Sequence, residues 1–157
     1  DYPSLSEEEQ ILLSTTLESL PKLSQIIDGP TILRIQKAVR GIAVSHEVAN
    51  YAARLTRATR PGSPEAPDFV NQWVRWGCGP RAGQGLLLAA KSNAGLAGRS
   101  EATIEDVKKF VHPVMRHRMG LNFAAVSEGQ STDDIVDMLL EAVPVVASAP
   151  AAMAAAG

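Results

Sequence analysis

Residues 77–90 read Gly-Cys-Gly-Pro-Arg-Ala-Gly-Gln-Gly-Leu-Leu-Leu-Ala-Ala, a glycine-rich loop that runs directly into an apolar segment. Proline suits the first position of a helix, so the stretch predicts a helix that begins at Pro80. Arg81 then lies in the first turn, where the partial positive charge of the helix end disfavours a cation by roughly 0.3–1 kcal/mol. An anionic partner resolves that conflict, and phosphate commonly binds helix N-termini. The local alternative is a salt bridge from Arg81 to Glu65 or Asp68.

Two glycines within this predicted helix, Gly83 and Gly85, lower its stability by roughly 1 kcal/mol each relative to alanine. Their presence indicates that a ligand or another backbone approaches this part of the helix closely. One interpretation is therefore an interaction module whose partner packs against the Gly83 and Gly85 face.

Helical spacing of apolar residues and capping signals extend the prediction outward from this helix. Ser4, Ser45, Thr103 and Ser131 are typical N-caps, and Asp68 precedes a short aromatic-rich helix. The predicted segments are residues 4–20, 31–40, 46–59, 69–76, 80–97, the helix capped by Thr103, the turn 114–118, and the helix from Ser131 to Pro144. We expect an all-α helical bundle of six to eight helices, with no convincing strand. The predicted domain covers residues 1–143, and the alanine-rich residues 144–157 are expected to be a disordered tail.

Composition narrows the function classes. The chain has 157 residues, 45% of them apolar, and only seven aromatics, which favours helix packing over a β-sandwich. A net charge of −2 gives no global attraction to nucleic acid.

The cysteine content and the start of the chain bear on its location. The single cysteine, Cys78, excludes an internal disulfide and fits a cytoplasmic location, and no basic and apolar leader opens the chain. No apolar stretch reaches the ~20 residues that a membrane helix needs. Because the chain begins at Asp1 rather than methionine, we expect a fragment of a longer protein.

The motifs of self-sufficient catalysis are missing from this sequence. It has no G-x-x-x-x-G-K-[ST] phosphate loop, so we expect no nucleotide hydrolysis by this chain alone. His112 and His117 are five residues apart rather than four, and no metal site is expected. Cys78 has no histidine nearby in sequence and is interpreted as a small loop or buried thiol.

Two further clusters have both structural and functional interpretations. Phe69, Trp73 and Trp76 fall on one helical face, which is typical of a core stripe, with base stacking as the minor alternative. Arg54, Arg57 and Arg60 lie near the end of the third predicted helix, where cations complement the helix dipole. Together with Arg75 and the helix–turn–helix look of residues 31–59, they also allow a nucleic-acid-binding module, which the negative net charge disfavours.

Several segments in order resemble the C-terminal helical lid of MoxR-type AAA+ ATPases. They are residues 1–4 (Asp-Tyr-Pro-Ser), 51–61 (Tyr-Ala-Ala-Arg-Leu-Thr-Arg-Ala-Thr-Arg-Pro), 73–77 (Trp-Val-Arg-Trp-Gly), 79–82 (Gly-Pro-Arg-Ala), 105–107 (Glu-Asp-Val) and 114–119 (Val-Met-Arg-His-Arg-Met). The resemblance runs from residue 1 to about 143 and implies an AAA+ lid-type bundle.

By this resemblance Arg81 is the sensor 2 arginine, which reaches the γ-phosphate of ATP bound with Mg²⁺ by an absent core domain. In a related group of these ATPases the displaced lid lets this arginine serve a neighbouring subunit. Arg57, Arg60 and Arg75 match family positions that could line a subunit boundary or pair with acidic residues inside the domain. The family implies hexameric rings, von Willebrand factor A-domain partners, and chaperone-like remodelling or maturation of partner proteins.

Overall fold

The computed structural model describes residues 2–17 and 22–145, which belong to two compact units, residues 1–34 and 35–157. The predicted tail lies outside the described residues from position 146 onward. None of the helices in the described ranges is long and apolar enough to cross a bilayer.

The first unit contains helix α1, Leu5–Thr15, which buries none of its residues. A capping box starts it: the Ser4 hydroxyl accepts from the Glu7 amide, and the Glu7 carboxylate accepts from the Ser4 amide at 2.8 Å. The prediction that this helix continues to residue 20 is wrong at residues 16 and 17, because α1 ends at Thr15; residues 18–20 lie outside the described part of the chain. The Thr15 and Thr16 hydroxyls donate to carbonyls four residues earlier, at 2.7 Å each, a side-chain pattern that competes with the helix ladder.

Helix α2, Gly29–Gly41, begins in the first unit and ends in the second. Further along the second unit, short strands lie between single helices or pairs of helices. In order they are β1 (Ala43–Val44), α3 (His46–Ala58), α4 (Asp68–Trp73), β2 (Val74–Trp76), α5 (Pro80–Leu96), β3 (Glu101–Ala102), α6 (Ile104–Lys109), α7 (Val111–Met115), β4 (Gly120–Leu121), α8 (Phe123–Ser127) and α9 (Thr132–Ala142).

The all-α class is confirmed, with nine helices in the described residues rather than six to eight. The difference comes from helices of five or six residues, such as α8, which are too short to show a clear helical period in sequence. Four strands of two or three residues were also not predicted. β1 pairs in parallel with β3, and β2 pairs antiparallel with β4. Each pair joins two segments that lie far apart in the sequence.

The predicted helix over residues 69–76 is wrong at its C-terminal end, because α4 stops at Trp73 and residues 74–76 form β2. Pairing with β4 brings Trp76 onto Gly120, where an added Cβ would lie 2.2 Å from the indole. Phe69 and Trp73 stay together at the edge of the core, with ring centroids 6.5 Å apart. Trp76 is exposed, so the predicted three-residue aromatic stripe is reduced to two members.

Helix α5 is the centre of the second unit and contacts α3, α6 and α7. It buries small and apolar residues one turn apart, namely Ala82, Leu86, Ala90 and Ala94. Two of its three glycines allow close packing on this side: a Cβ at Gly83 would lie 3.3 Å from the Thr56 hydroxyl, and one at Gly85 would lie 3.3 Å from a Val114 methyl. At these two glycines the close neighbours within the chain are therefore α3 and α7.

Candidate functional site

The N-terminus of α5 differs from most helix starts in this chain. Gly79 is its N-cap residue and provides no side-chain cap, Pro80 follows it, and the first turn holds no acidic residue. By contrast α1, α6 and α9 each begin with a capping box and acidic residues in the first turn. The longest described helix, 17 residues, thus presents a positive end that no side chain of its own neutralises.

Arg81 adds a full positive charge to this end. Its side chain is exposed, and within the described part of the chain it makes no hydrogen bond or ion pair. The local alternative of a salt bridge to Glu65 or Asp68 is not formed, since Glu65 instead pairs with Arg57. The guanidinium and the open helix end together form a surface suited to an anion such as a phosphate.

The three other predicted arginines occupy different environments. Arg57 Nε donates to the Glu65 carboxylate at 2.7 Å, and this bond, with a second from Ser63, lowers the pKa of Glu65 to about 2. Arg60 is partly buried, and its Nε donates to the Cys78 carbonyl at 2.8 Å. Arg75 is exposed, and its guanidinium carbon lies 5.5 Å from the centre of the Trp76 ring. Arg60 is thus tied to the loop that precedes Arg81.

Cys78 lies in this loop but is not suited to nucleophilic chemistry. The residue is 1% exposed, and burial raises the pKa of its thiol. At neutral pH the thiol is therefore protonated and shielded from solvent. Its backbone bonds to the end of α3, through Thr59 as well as Arg60, are contacts that sequence reasoning missed.

An open groove of about 330 Å³ runs between α3 and α5 beside this end of the domain. Its floor is apolar, with Ala49, Ala53 and Leu87, and Arg57, Arg60 and Pro80 line it as well. The groove therefore begins where α5 begins.

The described residues lack parts of a self-sufficient nucleotide site. No group of three or more His, Cys, Asp or Glu side chains in residues 2–17 and 22–145 is arranged to hold a metal ion. The loop before α5 also lacks the lysine and hydroxyl residue with which phosphate loops hold nucleotide and Mg²⁺. The start of α5 is therefore a surface suited to an anion, but it differs in kind from a phosphate loop.

Comparison with known families gives this geometry a context. Residues 69–139 match the family described as the AAA lid domain. That range contains Arg75 and Arg81, whereas Arg57 and Arg60 precede it.

Two curated proteins are similar over most of the chain. Chaperone MoxR1 of Mycobacterium tuberculosis (strain ATCC 25618 / H37Rv) is 31% identical over 142 residues, which cover 90% of this chain and 37% of that protein. YeaC, an uncharacterized protein of Bacillus subtilis (strain 168), is 26% identical over 145 residues, covering 92% of this chain and 42% of that protein. The chain spans less than half the length of either relative.

A solved structure has a similar fold. It is that of a candidate ATPase from Cytophaga hutchinsonii, which superposes with a TM-score of 0.75 at 23% sequence identity. The match covers 94% of this chain and 45% of that one. At this level of identity the likeness concerns the fold.

Proposed function

Because this chain belongs to the lid domains of MoxR-type AAA+ ATPases, we propose that Arg81 is its sensor 2 arginine. The guanidinium contacts the γ-phosphate of ATP that is bound by a core domain elsewhere in the full-length protein. The observation that carries this proposal is the position of Arg81: exposed, in the uncapped first turn of α5, with no partner among the described residues.

The size of the expected effect follows from the chemistry of phosphates. A hydrogen bond between charged groups is worth roughly 1.5–3 kcal/mol, and we expect most of this energy to be realised in the transition state rather than in the binding of ATP. An arginine placed on a phosphoryl group during its transfer is worth more, about 10³–10⁵-fold in rate in the strongest cases. The proposal therefore expects Arg81 to affect turnover more than ATP affinity.

We assign ATP binding to the core domain because this chain lacks the residues of a phosphate loop. In the full-length protein the core domain would bind ATP with Mg²⁺; ATP supplies the γ-phosphoryl group, water accepts it, and ADP leaves. The lid supplies the guanidinium of Arg81, and its packed helices move as one body when that contact forms or breaks. The isolated chain is expected to bind nucleotide weakly and not to hydrolyse it.

The proposal extends to the assembly. We expect the full-length protein to act in the cytoplasm as a ring, most simply a hexamer, that remodels or matures partner proteins, with von Willebrand factor A-domain proteins among its candidate partners. Arg57, Arg60 and Arg75 are proposed contributors to the boundary with the core or with a neighbouring subunit. Of these, Arg75 is the most available, since Arg57 already pairs with Glu65 and Arg60 with the Cys78 carbonyl.

The test is Arg81→Ala in the full-length protein, with Arg116→Ala as a matched control. Arg116 is also an exposed arginine, but it directly follows α7 and pairs with Asp133 at 3.2 Å. Arg81→Ala should lower kcat for ATP hydrolysis by at least about 100-fold while the Kd for ATP changes by less than about threefold. The control should keep wild-type turnover. Unchanged hydrolysis by assembled Arg81→Ala rings would refute the assignment.

A further inference from the structure

The loop before α5 is tied to the end of α3 at three points. The amide of Cys78 donates to the Thr59 hydroxyl at 2.8 Å, and the Cys78 carbonyl accepts from Arg60 Nε at 2.8 Å. Gly77 lies against the same residues, since an added Cβ would stand 2.2 Å from the Thr59 carbonyl oxygen. Both backbone hydrogen-bonding groups of Cys78 are thus held by two consecutive residues that directly follow α3.

The Thr59 hydroxyl makes two hydrogen bonds, one as a donor and one as an acceptor. The residue is fully buried, and its hydroxyl donates to the Thr56 carbonyl at 2.7 Å while it accepts from Cys78. Because the donor and the acceptor positions are both used, the hydroxyl cannot rotate without breaking a buried hydrogen bond. The loop is therefore held in one position relative to the C-terminal end of α3.

The position of the loop determines the position of Arg81. Only Gly79 and Pro80 separate Cys78 from Arg81, and proline fixes its own φ angle. The remainder of α5 is held by the burial of Leu86, Ala90 and Ala94, and Ala82 is buried in the first turn itself. The clamp, defined as Thr59, Arg60 and Cys78, therefore acts together with Ala82 on the first turn rather than on the whole helix.

We infer that Thr59 and Arg60 are positioning residues for Arg81: they hold the loop so that the first turn presents its guanidinium at one point in space. The inference rests on the proposed function of Arg81. A displacement of about 1 Å at a reacting centre can lower a rate about 100-fold, so loss of the clamp is expected to appear in turnover.

The first test is Thr59→Val in the full-length ATPase, a change that keeps the side-chain shape and removes the hydroxyl. It should lower kcat about 10-fold to 100-fold with the KM for ATP within about twofold. Thr59→Ser, which keeps the hydroxyl, should restore most of the turnover. The matched control is Thr56→Val, because the buried Thr56 hydroxyl donates to the Ala52 carbonyl of its own helix and not to the loop. It should keep wild-type kcat.

A double-mutant cycle separates a positioning role from a general structural one. If Thr59 acts through Arg81, adding Thr59→Val to Arg81→Ala should lower kcat no further. An equal fractional loss in both backgrounds would overturn the inference, and so would wild-type kcat in folded Thr59→Val.

If Thr59→Val does not fold, Arg60→Met replaces it in the same cycle, because Arg60 is only partly buried. Wild-type kcat in Arg81→Ala would instead remove the proposed function, and the clamp inference with it. Impaired Arg81→Ala beside unaffected clamp variants would overturn the inference alone.

Discussion

The guanidinium of Arg99 forms a bidentate ion pair with the carboxylate of Asp106: Nη2 donates to Oδ1 at 2.6 Å, and Nη1 donates to Oδ2 at 2.7 Å. The same carboxylate accepts from Asn93 on α5 at 2.5 Å, and from the amide and hydroxyl of Thr103 at 2.8 and 2.9 Å. Asp106 is 3% exposed. A single buried carboxylate thus joins the end of α5 to the start of α6.

Replacing Asp106 with asparagine should destabilise the second unit. The amide keeps one acceptor oxygen but turns an NH₂ group toward donors that need an acceptor. Removing one partner of a buried ion pair costs about 3–5 kcal/mol, and we expect the low end, about 3 kcal/mol, because the Arg99 side chain is 39% exposed. Urea denaturation followed by circular dichroism measures the free energy of unfolding.

The matched control for this change is Asp134→Asn. Asp134 holds the equivalent position in the capping box of α9, but it is exposed. It should lose far less stability than Asp106→Asn. Equal losses would show that capping, rather than the buried network, accounts for the effect at Asp106.

The network should also make stability depend on pH in a defined range. Hydrogen bonds from Arg99, above all, hold the pKa of Asp106 well below its usual range, although burial opposes them. The folded state then binds the proton more weakly than the unfolded chain, whose aspartates titrate at about 3.9. The stabilisation is therefore complete above about pH 5 and is lost as the pH falls below about 4 toward the lowered pKa.

The checking measurement is the free energy of unfolding of wild type and Asp106→Asn between pH 2 and 7. The difference between the two should be constant near neutrality and shrink in acid. Subtracting the two curves removes the contributions of the other carboxyl groups with lowered pKa values, such as Glu65 and Asp134. A difference that stays constant down to pH 2 would contradict the proposed linkage.

Local chemistry accounts for the part of this structure that the sequence predicts well. Pro80 and the apolar run after it predicted the start of α5, and Ser45, Thr103 and Ser131 were correctly identified as caps. Each of these signals depends on residues within four positions of one another. The position of Arg81 in the first turn was also predicted correctly.

The contacts that support these elements could not be read in the same way. Thr59 meets Cys78 across 19 positions of sequence, and Asn93 meets Asp106 across 13. Asp106 is visible in sequence as an acid in a helical first turn, but its burial depends on how α5 and α6 pack. Helix periodicity identifies buried apolar faces and is silent on which polar side chains those faces enclose.

The glycine before the clamp offers a test of how tightly the loop is held. In Gly77→Ala the new methyl group would lie 2.2 Å from the Thr59 carbonyl oxygen and 2.8 Å from the Arg60 Cα, both backbone atoms that cannot rotate away. Overpacking of this kind costs about 1–3 kcal/mol, and relief requires the loop to move off α3. Gly79→Ala is the matched control, because nothing lies within 4 Å of its added Cβ. Thermal unfolding should show a clearly lower Tm for Gly77→Ala than for Gly79→Ala. Because the two glycines flank the same cysteine, equal Tm values would mean that the loop is not packed against α3 as described.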